Sequence, residues 1–369
     1  MSYQLFLTLF TIFFIGNTSF SQAGEVIPFD SERWTVESDS FILETHLGKS
    51  SLYLPKGGKI YLKDAEFLNG IIEYEVAFAE IRTFLGLMFR MQDVNNFEDF
   101  YLRPHQSGNP DANQYTPNFN GLAGWQLYHG KGFAQAIEYP FNEWIPIKCV
   151  VSGQSAEIYI GEVKTPTLFI PQLKRSQEMG MLGIRGGTGH FANFRYTKLE
   201  QVQLVNEAIQ EAAIPVGTIA SWEVSNTFSE NDLKDITTLT EQQKKPLNWQ
   251  TLQAESTGLA NLASISKLEK ERNTVFAKRT IEAEKAQIKP LAIGYSDRVK
   301  VYCNDQLLYG GNNGFRSRDY RYLGTIGYFD EVFLPLRQGK NEIWIAVSES
   351  FGGWGLQAKF EDIKGISIK

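Results

Sequence analysis

Apolar and polar residues alternate along much of this chain, and alternation with a period of two is the pattern of β-strands that bury one face. The clearest alternating runs in the first half span residues 70–78, 84–91, 144–152, 156–160 and 190–196, with turn residues between them. Alternation resumes at residue 218 and is clearest at 298–303, 331–336 and 341–347. The pattern therefore predicts an all-β protein.

Two stretches depart from plain alternation. Apolar residues recur at positions 199, 202, 205, 209 and 212, a helical spacing that Pro215-Val216-Gly217 ends, so we predict a short helix there. The stretch 266–287 is rich in Lys and Glu, as many helices are. However, Val275, Ala277, Arg279 and Ile281 alternate with the residues between them, so we predict a strand over 274–282.

The length of 369 residues exceeds what one hydrophobic core usually serves, so two domains are expected. The helical pattern supplies a boundary between them. We predict two β-sandwich (jelly-roll) domains, at residues 25–197 and 216–369, joined by a short helical linker at 198–215.

The first 23 residues have the pattern of a secretory signal peptide. An apolar run from Leu5 to Ile15 precedes Ser21-Gln22-Ala23, which has the small-x-small form of a cleavage site. The run is too short to span a bilayer, and no later segment is apolar for long enough to do so. We therefore expect a cleaved signal peptide over 1–23, a secreted or periplasmic protein, and no membrane span.

Charge and cysteine content exclude several classes of function. The net charge of −6 is spread without long blocks of one sign, so we expect no nucleic-acid partner. Cys149 and Cys303 each lie at an apolar position of an alternating run, which predicts two buried, unpaired thiols. His46 and His190 have no metal-ligand spacing, and no oxygen-rich calcium loop is visible. We expect no metal site and no cofactor.

Residues 95–130 combine aromatic, amide and charged side chains in a segment broken by Gly and Pro. Carbohydrates offer flat C–H faces to aromatic rings and hydroxyls to polar groups, so the combination indicates a carbohydrate ligand. We predict a loop that binds ligand, with Trp125 and Tyr128 lining a groove. The alternative is a loop that pins itself with Asx turns and buries Trp125. The candidate ligand-binding residues here are Arg103, His105, Asn109, Asp111, Tyr115, Asn118, Trp125 and Tyr128.

No complete catalytic constellation is present in the sequence. Glu73 and Glu75 share one face of a predicted strand, which an ordinary solvated face explains. Glu98 and Asp99 are adjacent and therefore point to opposite faces of an extended segment. Imidazole titrates near neutral pH, so His105 is the better candidate for acid–base catalysis, with Glu98 as a second, weaker candidate.

A second group of candidates lies in the C-terminal half. Arg316, Arg318 and Asp319 follow the glycine-rich loop 310–314, and Arg beside Asp can hold vicinal hydroxyls or a uronate carboxylate through fork geometry. An Arg–Asp network that braces the loop is the alternative. Trp354 follows two glycines, and its ring either presents itself to solvent or fills the core.

Several runs of residues 25–197 resemble the concanavalin A-like lectin/glucanase sandwich and the related 3-keto-disaccharide hydrolase domains. These are Gly70-Ile-Ile-Glu-Tyr-Glu-Val, Phe84-Leu-Gly-Leu-Met-Phe-Arg with Asp93-Val-Asn-Asn-Phe-Glu, and His190-Phe-Ala-Asn-Phe-Arg-Tyr. Such hydrolase domains commonly have Asp where this chain has Ala192. The Glu-x-Asp-x-x-Glu pattern of the superfamily's retaining glucanases is also absent here. The resemblance implies a fold that hosts lectins, glycosidases, lyases and non-catalytic modules.

Residues 216–369 resemble a galactose-binding-like jelly roll, as found beside the catalytic domains of secreted polysaccharide enzymes. The resemblance rests on Trp222, on the runs that begin at Gly294 and Asp330, and on Phe351-Gly-Gly-Trp-Gly. Together the two resemblances imply a secreted carbohydrate-binding protein. A glycoside hydrolase or polysaccharide lyase with its active site in the first domain is one alternative. A structural cell-envelope interaction protein is the other.

Overall fold

The computed structural model describes residues 24–175, 177–207, 209 and 212–369. The predicted signal peptide, residues 1–23, lies outside the described residues. Within them, helical structure is confined to α1 (Glu241–Lys244) and to 3-10 turns at Pro104–Gln106, Glu230–Leu233 and Leu262–Ser264. No helix of this part of the chain has the length and apolarity needed to cross a membrane. The predicted all-β fold class is confirmed.

The strands before residue 199 form two antiparallel sheets. They are β1 (Trp34–Glu37), β2 (Ile42–His46), β3 (Lys49–Tyr53), β4 (Gly58–Phe67), β5 (Gly70–Ala77), β6 (Leu85–Asp93), β7 (Asn96–Leu102), β8 (Asn113–Phe119), β9 (Leu122–Ala123), β10 (Ala134–Gln135), β11 (Ile145–Ser152), β12 (Ser155–Ile160), β13 (Leu168–Ile170), β14 (Gly180–Gly186) and β15 (His190–Lys198). Sheet 1 has the order β1-β4-β14-β6-β7-β8-β10, with β9 paired to β8. Sheet 2 has the order β13-β12-β11-β5-β15-β3-β2.

Sheets 1 and 2 pack face to face as a sandwich. Leu62 and Phe100 of sheet 1 belong to the same buried cluster as Ile72, Val151 and Phe191 of sheet 2. Full burial of each such side chain stabilises the fold by roughly 1.5–3 kcal/mol. The alternating runs exist because one face of each strand supplies this core.

The strands after residue 220 form a second sandwich. They are β16 (Ser221–Ser225), β17 (Trp249–Gln253), β18 (Ala260–Asn261), β19 (Thr274–Ala283), β20 (Gln287–Ser296), β21 (Arg298–Cys303), β22 (Gln306–Asn312), β23 (Asp330–Leu336), β24 (Gly339–Ser348), β25 (Gly355–Lys359) and β26 (Ile366–Ile368). Sheet 3 has the order β17-β16-β19-β24-β21-β22, with β26 paired to β19, and sheet 4 has the order β18-β25-β20-β23. Trp222 and Ile345 of sheet 3 share a core with Leu291 and Leu334 of sheet 4.

The predicted strands coincide closely with observed ones. The run 274–282, taken as a strand despite its Lys- and Glu-rich setting, is β19, and its Val275, Ala277 and Ile281 are buried. Trp354 is also buried in the second core, where its Nε1 donates to the Val347 carbonyl at 3.0 Å. Cys149 and Cys303 are free and buried, as predicted. Burial raises the pKa of the Cys303 thiol to about 11.

The predicted helical linker is wrong in its secondary structure, because the described residues of 198–215 form no helix. Val205 and Ile209 are 65% and 64% exposed, so these apolar residues of the helical pattern pack against no core that would stabilise a helix. Instead, the segment hydrogen-bonds to residues of β11 and β12 in sheet 2. Ser152 Oγ donates to the Val202 carbonyl at 2.8 Å, and the Asn206 amide donates to Glu157 Oε1 at 2.7 Å.

The prediction of one long loop over residues 95–130 is also wrong, since the segment contains β7 and β8, two strands near the middle of sheet 1. Phe100 and Leu102 fill the core. The polar residues between the apolar ones are buried as well, which hides the alternation. Glu98, Asp99, Asn113 and Gln114 are each at most 3% exposed.

A short segment of the first half inserts into the second. Gln126 is fully buried there. Its side-chain Nε2 donates to the Leu323 carbonyl at 2.8 Å, and its backbone N–H donates to the Gly352 carbonyl at 2.8 Å. The next residue, Leu127, packs where a Cβ on Gly353 would lie 2.7 Å from its Cγ. The two glycines before Trp354 therefore make room for this inserted segment.

Candidate functional site

The register of sheet 1 places a row of polar side chains on its outer face, away from the core. Glu37 pairs with Lys59, Lys59 with Arg185, Arg185 with Gly86, Gly86 with Tyr101, and Tyr101 with Gln114. Directly paired residues of neighbouring strands point to the same face. The row therefore crosses β1, β4, β14, β6, β7 and β8 and collects charged and hydrogen-bonding groups from distant parts of the sequence.

An ion pair anchors the middle of this face. Arg185 contacts Asp99 through Nη2–Oδ2 at 2.5 Å and through Nε at 2.9 Å from both oxygens. Burial raises the pKa of Asp99, and the Arg185 charge opposes that rise. A Cβ on Gly86 would lie 3.2 Å from Asp99 Oδ1 and 3.1 Å from the Tyr101 Cβ. The absence of a side chain at position 86 thus lets Arg185, Asp99 and Tyr101 lie side by side.

A cavity of about 720 Å³ opens at one end of the row, and we call it the cationic pocket. Four basic side chains line it, Lys56, Lys59, Arg82 and Arg185, with Glu37 as its one acidic side chain and Phe84 as its aromatic ring. Glu37 accepts a hydrogen bond from Tyr61 OH at 3.0 Å. Burial and the neighbouring Arg185 charge lower the pKa of Lys59, whose Nζ donates to the Val94 carbonyl at 2.6 Å.

Arg103 organises the other end of the row. Its Nη2 donates to Gln114 Oε1 at 2.6 Å and to Tyr101 OH at 3.0 Å, and its Nη1 contacts Asp111 Oδ2 at 2.7 Å. The guanidinium carbon lies 5.8 Å from the Trp125 ring centre. Of the predicted ligand-binding residues, the structure therefore brings Arg103, Asp111 and Trp125 together.

His105 lies between this network and the cationic pocket. Its ring is 5.3 Å from that of Phe84, which lines the pocket. Burial lowers the pKa of His105, and the positive charges of Arg82 and Arg103 lower it further. These surroundings therefore favour the neutral form of the imidazole.

Trp125 belongs to an aromatic cluster that joins the two halves of the chain. Its ring centre is 6.3 Å from that of Phe315 and 6.0 Å from that of Phe351. Trp125 is partly buried, whereas Phe315 and Phe351 are 36% and 48% exposed. The cluster of Trp125, Phe315 and Phe351 offers stackable ring surface beside Arg103.

Three predicted site residues lie in the interior instead. Glu98 and Tyr115 are fully buried, and Tyr115 OH donates to Glu98 Oε2 at 2.6 Å on the core side of sheet 1. Tyr128 is 1% exposed and its hydroxyl hydrogen-bonds to Glu255 and Asn261 at the junction of the halves. A ligand on the surface does not reach these groups, so we remove Glu98, Tyr115 and Tyr128 from the candidate site.

The remaining predicted residues are more dispersed. Asn118 is on the outer face of sheet 1, opposite Phe97, and Asn109 is exposed, with its Nδ2 bonded to Gln106. Arg316, Arg318 and Asp319 are exposed in the second half. Arg318 contacts Asp330 at 2.8 Å and Asp319 contacts Arg321 at 3.0 Å, so this Arg–Asp network braces its own loop. Arg316 lies over the Phe315 ring, 4.9 Å from its centre, next to the aromatic cluster.

Sequence reasoning missed the residues that line the cationic pocket. Lys59 and Arg185 become neighbours only through the pairing of β4 with β14. Their alternation with the core residues Ile60 and Ile184 was the available signal. Glu73 and Glu75 lie on the outer face of sheet 2, where Arg195 and Lys49 pair with them.

No known family model matches the sequence. No curated protein matches it either. Solved structures similar to part of the chain include the carbohydrate-binding module CBM66 from Bacillus subtilis, at 14% identity over 44% of this chain and 92% of that one, with a TM-score of 0.34. A β-glucanase from Bacillus licheniformis aligns at 11% identity over 48% of this chain and 100% of that one, with a TM-score of 0.35. The exoplasmic/lumenal domain of VIP36, in a Ca²⁺/Man3GlcNAc-bound form, aligns at 13% identity over 49% of this chain and 90% of that one, with a TM-score of 0.36. At such identities the likeness concerns the fold alone.

Proposed function

We propose that this protein recognises carbohydrate on the outer face of sheet 1, as a binding protein and without cleaving its ligand. The observation that carries the proposal is the placement of partly exposed aromatic rings beside a row of polar groups. Trp125, Phe315 and Phe351 lie at one end of the row, and the ring of Phe84 lies 5.9 Å from that of Tyr101 and 6.0 Å from the Arg103 guanidinium carbon.

The chemistry of this face suits a sugar chain. The C–H faces of pyranose rings stack on aromatic rings, while their hydroxyls pair with amide and guanidinium groups. Arg103 lies between the rings of Trp125 and Phe84, and the buried Gln114 holds its guanidinium in place by accepting from Nη2 at 2.6 Å. Groups held in place before binding lose less conformational entropy when a ligand arrives.

A glycoside hydrolase or polysaccharide lyase is the alternative function. Hydrolysis by the common mechanism needs two carboxylates facing one substrate. Here Glu98 is buried on the core side, Asp99 is bonded to Arg185 through both oxygens, and Asp111 is paired with Arg103. These contacts favour binding without cleavage.

We also propose a cellular location and a domain organisation for this protein. We propose that residues 1–23 direct export and are removed, which gives a secreted or periplasmic protein. The domain boundaries, 25–197 and 216–369, are part of the same proposal. The second half of the chain supports the first by holding the inserted Gln126 segment and by contributing Phe315 and Phe351 to the aromatic cluster.

A glycan array tests the proposal. We expect the purified protein to retain at least one class of oligosaccharide, and we expect no new products when the retained glycans are incubated with it and separated by chromatography. Retention of no glycan would overturn carbohydrate recognition and favour a structural cell-envelope role. Appearance of shorter or unsaturated products would show that the alternative, an enzyme, is correct.

A further inference from the structure

We infer that the cationic pocket binds the anionic substituent of an acidic glycan, a carboxylate or a sulfate ester, so that the protein selects acidic over neutral sugar chains. The inference rests on the proposed function and adds the class of glycan.

The cationic pocket concentrates positive charge. Lys56, Lys59, Arg82 and Arg185 line it and Glu37 is the one acidic lining residue, although the whole chain carries a net charge of −6. Basic groups concentrated in one cavity of an acidic protein create a local positive potential, which attracts anions.

Most of these charges are unpaired within the protein. Among the described residues, only Arg185 of the four basic side chains has a carboxylate within salt-bridge distance, and that partner is Asp99. Glu37 instead accepts from Tyr61 OH. Arg82 is exposed, and Lys59 is half-buried, with its Nζ donating to the Val94 carbonyl and no carboxylate of the described residues within salt-bridge distance. A bound anion would supply the missing partner.

The guanidinium of Arg185 is also held in a geometry that suits an anion. Arg185 uses Nε and Nη2 for Asp99, which fixes the plane of its guanidinium and leaves Nη1 without a bond among the described residues. A planar guanidinium held in this way matches the planar or tetrahedral oxygens of carboxylate and sulfate. Phe84 lies at the same pocket and offers a ring face to the sugar that carries the anion.

The test compares matched probes that carry the anionic group or lack it. One pair is an oligogalacturonate and the same oligomer with methyl-esterified carboxyls; the other is a sulfated galactan and its desulfated form. Affinities are measured by calorimetry at low and high salt. The variants are Arg82→Gln and Lys56→Gln, both at exposed side chains, and the matched control is Arg337→Gln, an exposed arginine that directly follows β23.

We expect the native protein to bind one acidic probe at least about tenfold more tightly than its neutral counterpart at low salt, with a smaller ratio at high salt. Arg82→Gln should reduce that ratio roughly fivefold and Lys56→Gln by a smaller factor, while Arg337→Gln leaves it unchanged. The probe pair that responds identifies the anion as carboxylate or sulfate.

Four results would overturn the inference. Equal affinity for acidic and neutral members of both pairs would do so while leaving carbohydrate recognition intact. Retention of neutral glycans alone on the glycan array would also overturn the inference and leave carbohydrate recognition intact. An acidic preference that survives both Arg82→Gln and Lys56→Gln would place the anion elsewhere. If no glycan of any kind is retained, the proposed function itself fails, and the inference fails with it.

Discussion

At the scale of single residues, buried charge decides which groups are available for binding. Asp99 and Glu98 are both fully buried, yet Asp99 faces the polar row and Glu98 faces the core. The sequence predicted that these neighbours point to opposite faces, because adjacent residues of an extended chain do so. It did not predict that an arginine far along the chain would neutralise one of them.

Glu349 provides a residue-scale prediction about pH. It is fully buried, its Oε2 has no partner among the described residues, and its pKa is raised well above the usual value by burial and by the negative charge of Asp297. A raised pKa in the folded state means that folding favours the protonated form. The stabilising contribution is therefore present at low pH and is lost as pH rises through the folded-state pKa.

We expect Glu349→Gln, which cannot ionise, to increase the free energy of unfolding by roughly 1–3 kcal/mol at about pH 8, and by less at about pH 5. Urea denaturation at the two pH values measures this. Glu331→Gln, at an exposed carboxylate on β23, is the control and should change little at either pH. A Glu349→Gln protein that is less stable than the native one at the higher pH would contradict the account.

At the scale of strands and loops, apolar alternation predicted the elements whose polar residues face solvent. The runs 70–78 and 274–282 became β5 and β19 in this way. In β7 and β8 the polar residues are buried as well, and composition then suggested a loop. Hence the candidate residues were found while the strands that hold them were missed. The predicted linker helix failed for the opposite reason. Its apolar residues have the spacing of a helix, but no hydrophobic core lies beside them to bury that face.

The paired glycines before Trp354 give a prediction at this scale. Gly353 has a φ of +141°, and a Cβ there would lie 2.7 Å from Leu127 Cγ. Gly339 has a φ of +86° with nothing within 4 Å of such a Cβ, so it isolates the cost of backbone strain. We expect Gly339→Ala to cost about 1 kcal/mol of stability and Gly353→Ala about 1–3 kcal/mol more, by thermal or urea denaturation. Equal costs at the two positions would show that the inserted segment adapts freely.

At the scale of the whole molecule, the site is shared between the two sandwiches. The polar row and the cationic pocket belong to the first, but Phe315 and Phe351 of the second complete the aromatic cluster. The sequence could not predict that Phe315 and Phe351 contact Trp125, because both contacts depend on how Gln126 and Leu127 insert into the other half. What the sequence did supply was the chemical character of the region, aromatic and amide-rich, and the proposal of a carbohydrate ligand rests on that character.

The most direct test of the account is the glycan affinity of Trp125→Ala. The matched control is Trp144→Ala, which removes a partly buried ring from the opposite side of the first sandwich, where it contacts His46. With a glycan that the array retains, the account predicts that Trp125→Ala loses roughly 1–3 kcal/mol of binding free energy and that Trp144→Ala keeps the native affinity. A Trp125→Ala protein that unfolds at a lower temperature yet binds the glycan with native affinity would contradict it, because Trp125 would then serve only to pack the junction.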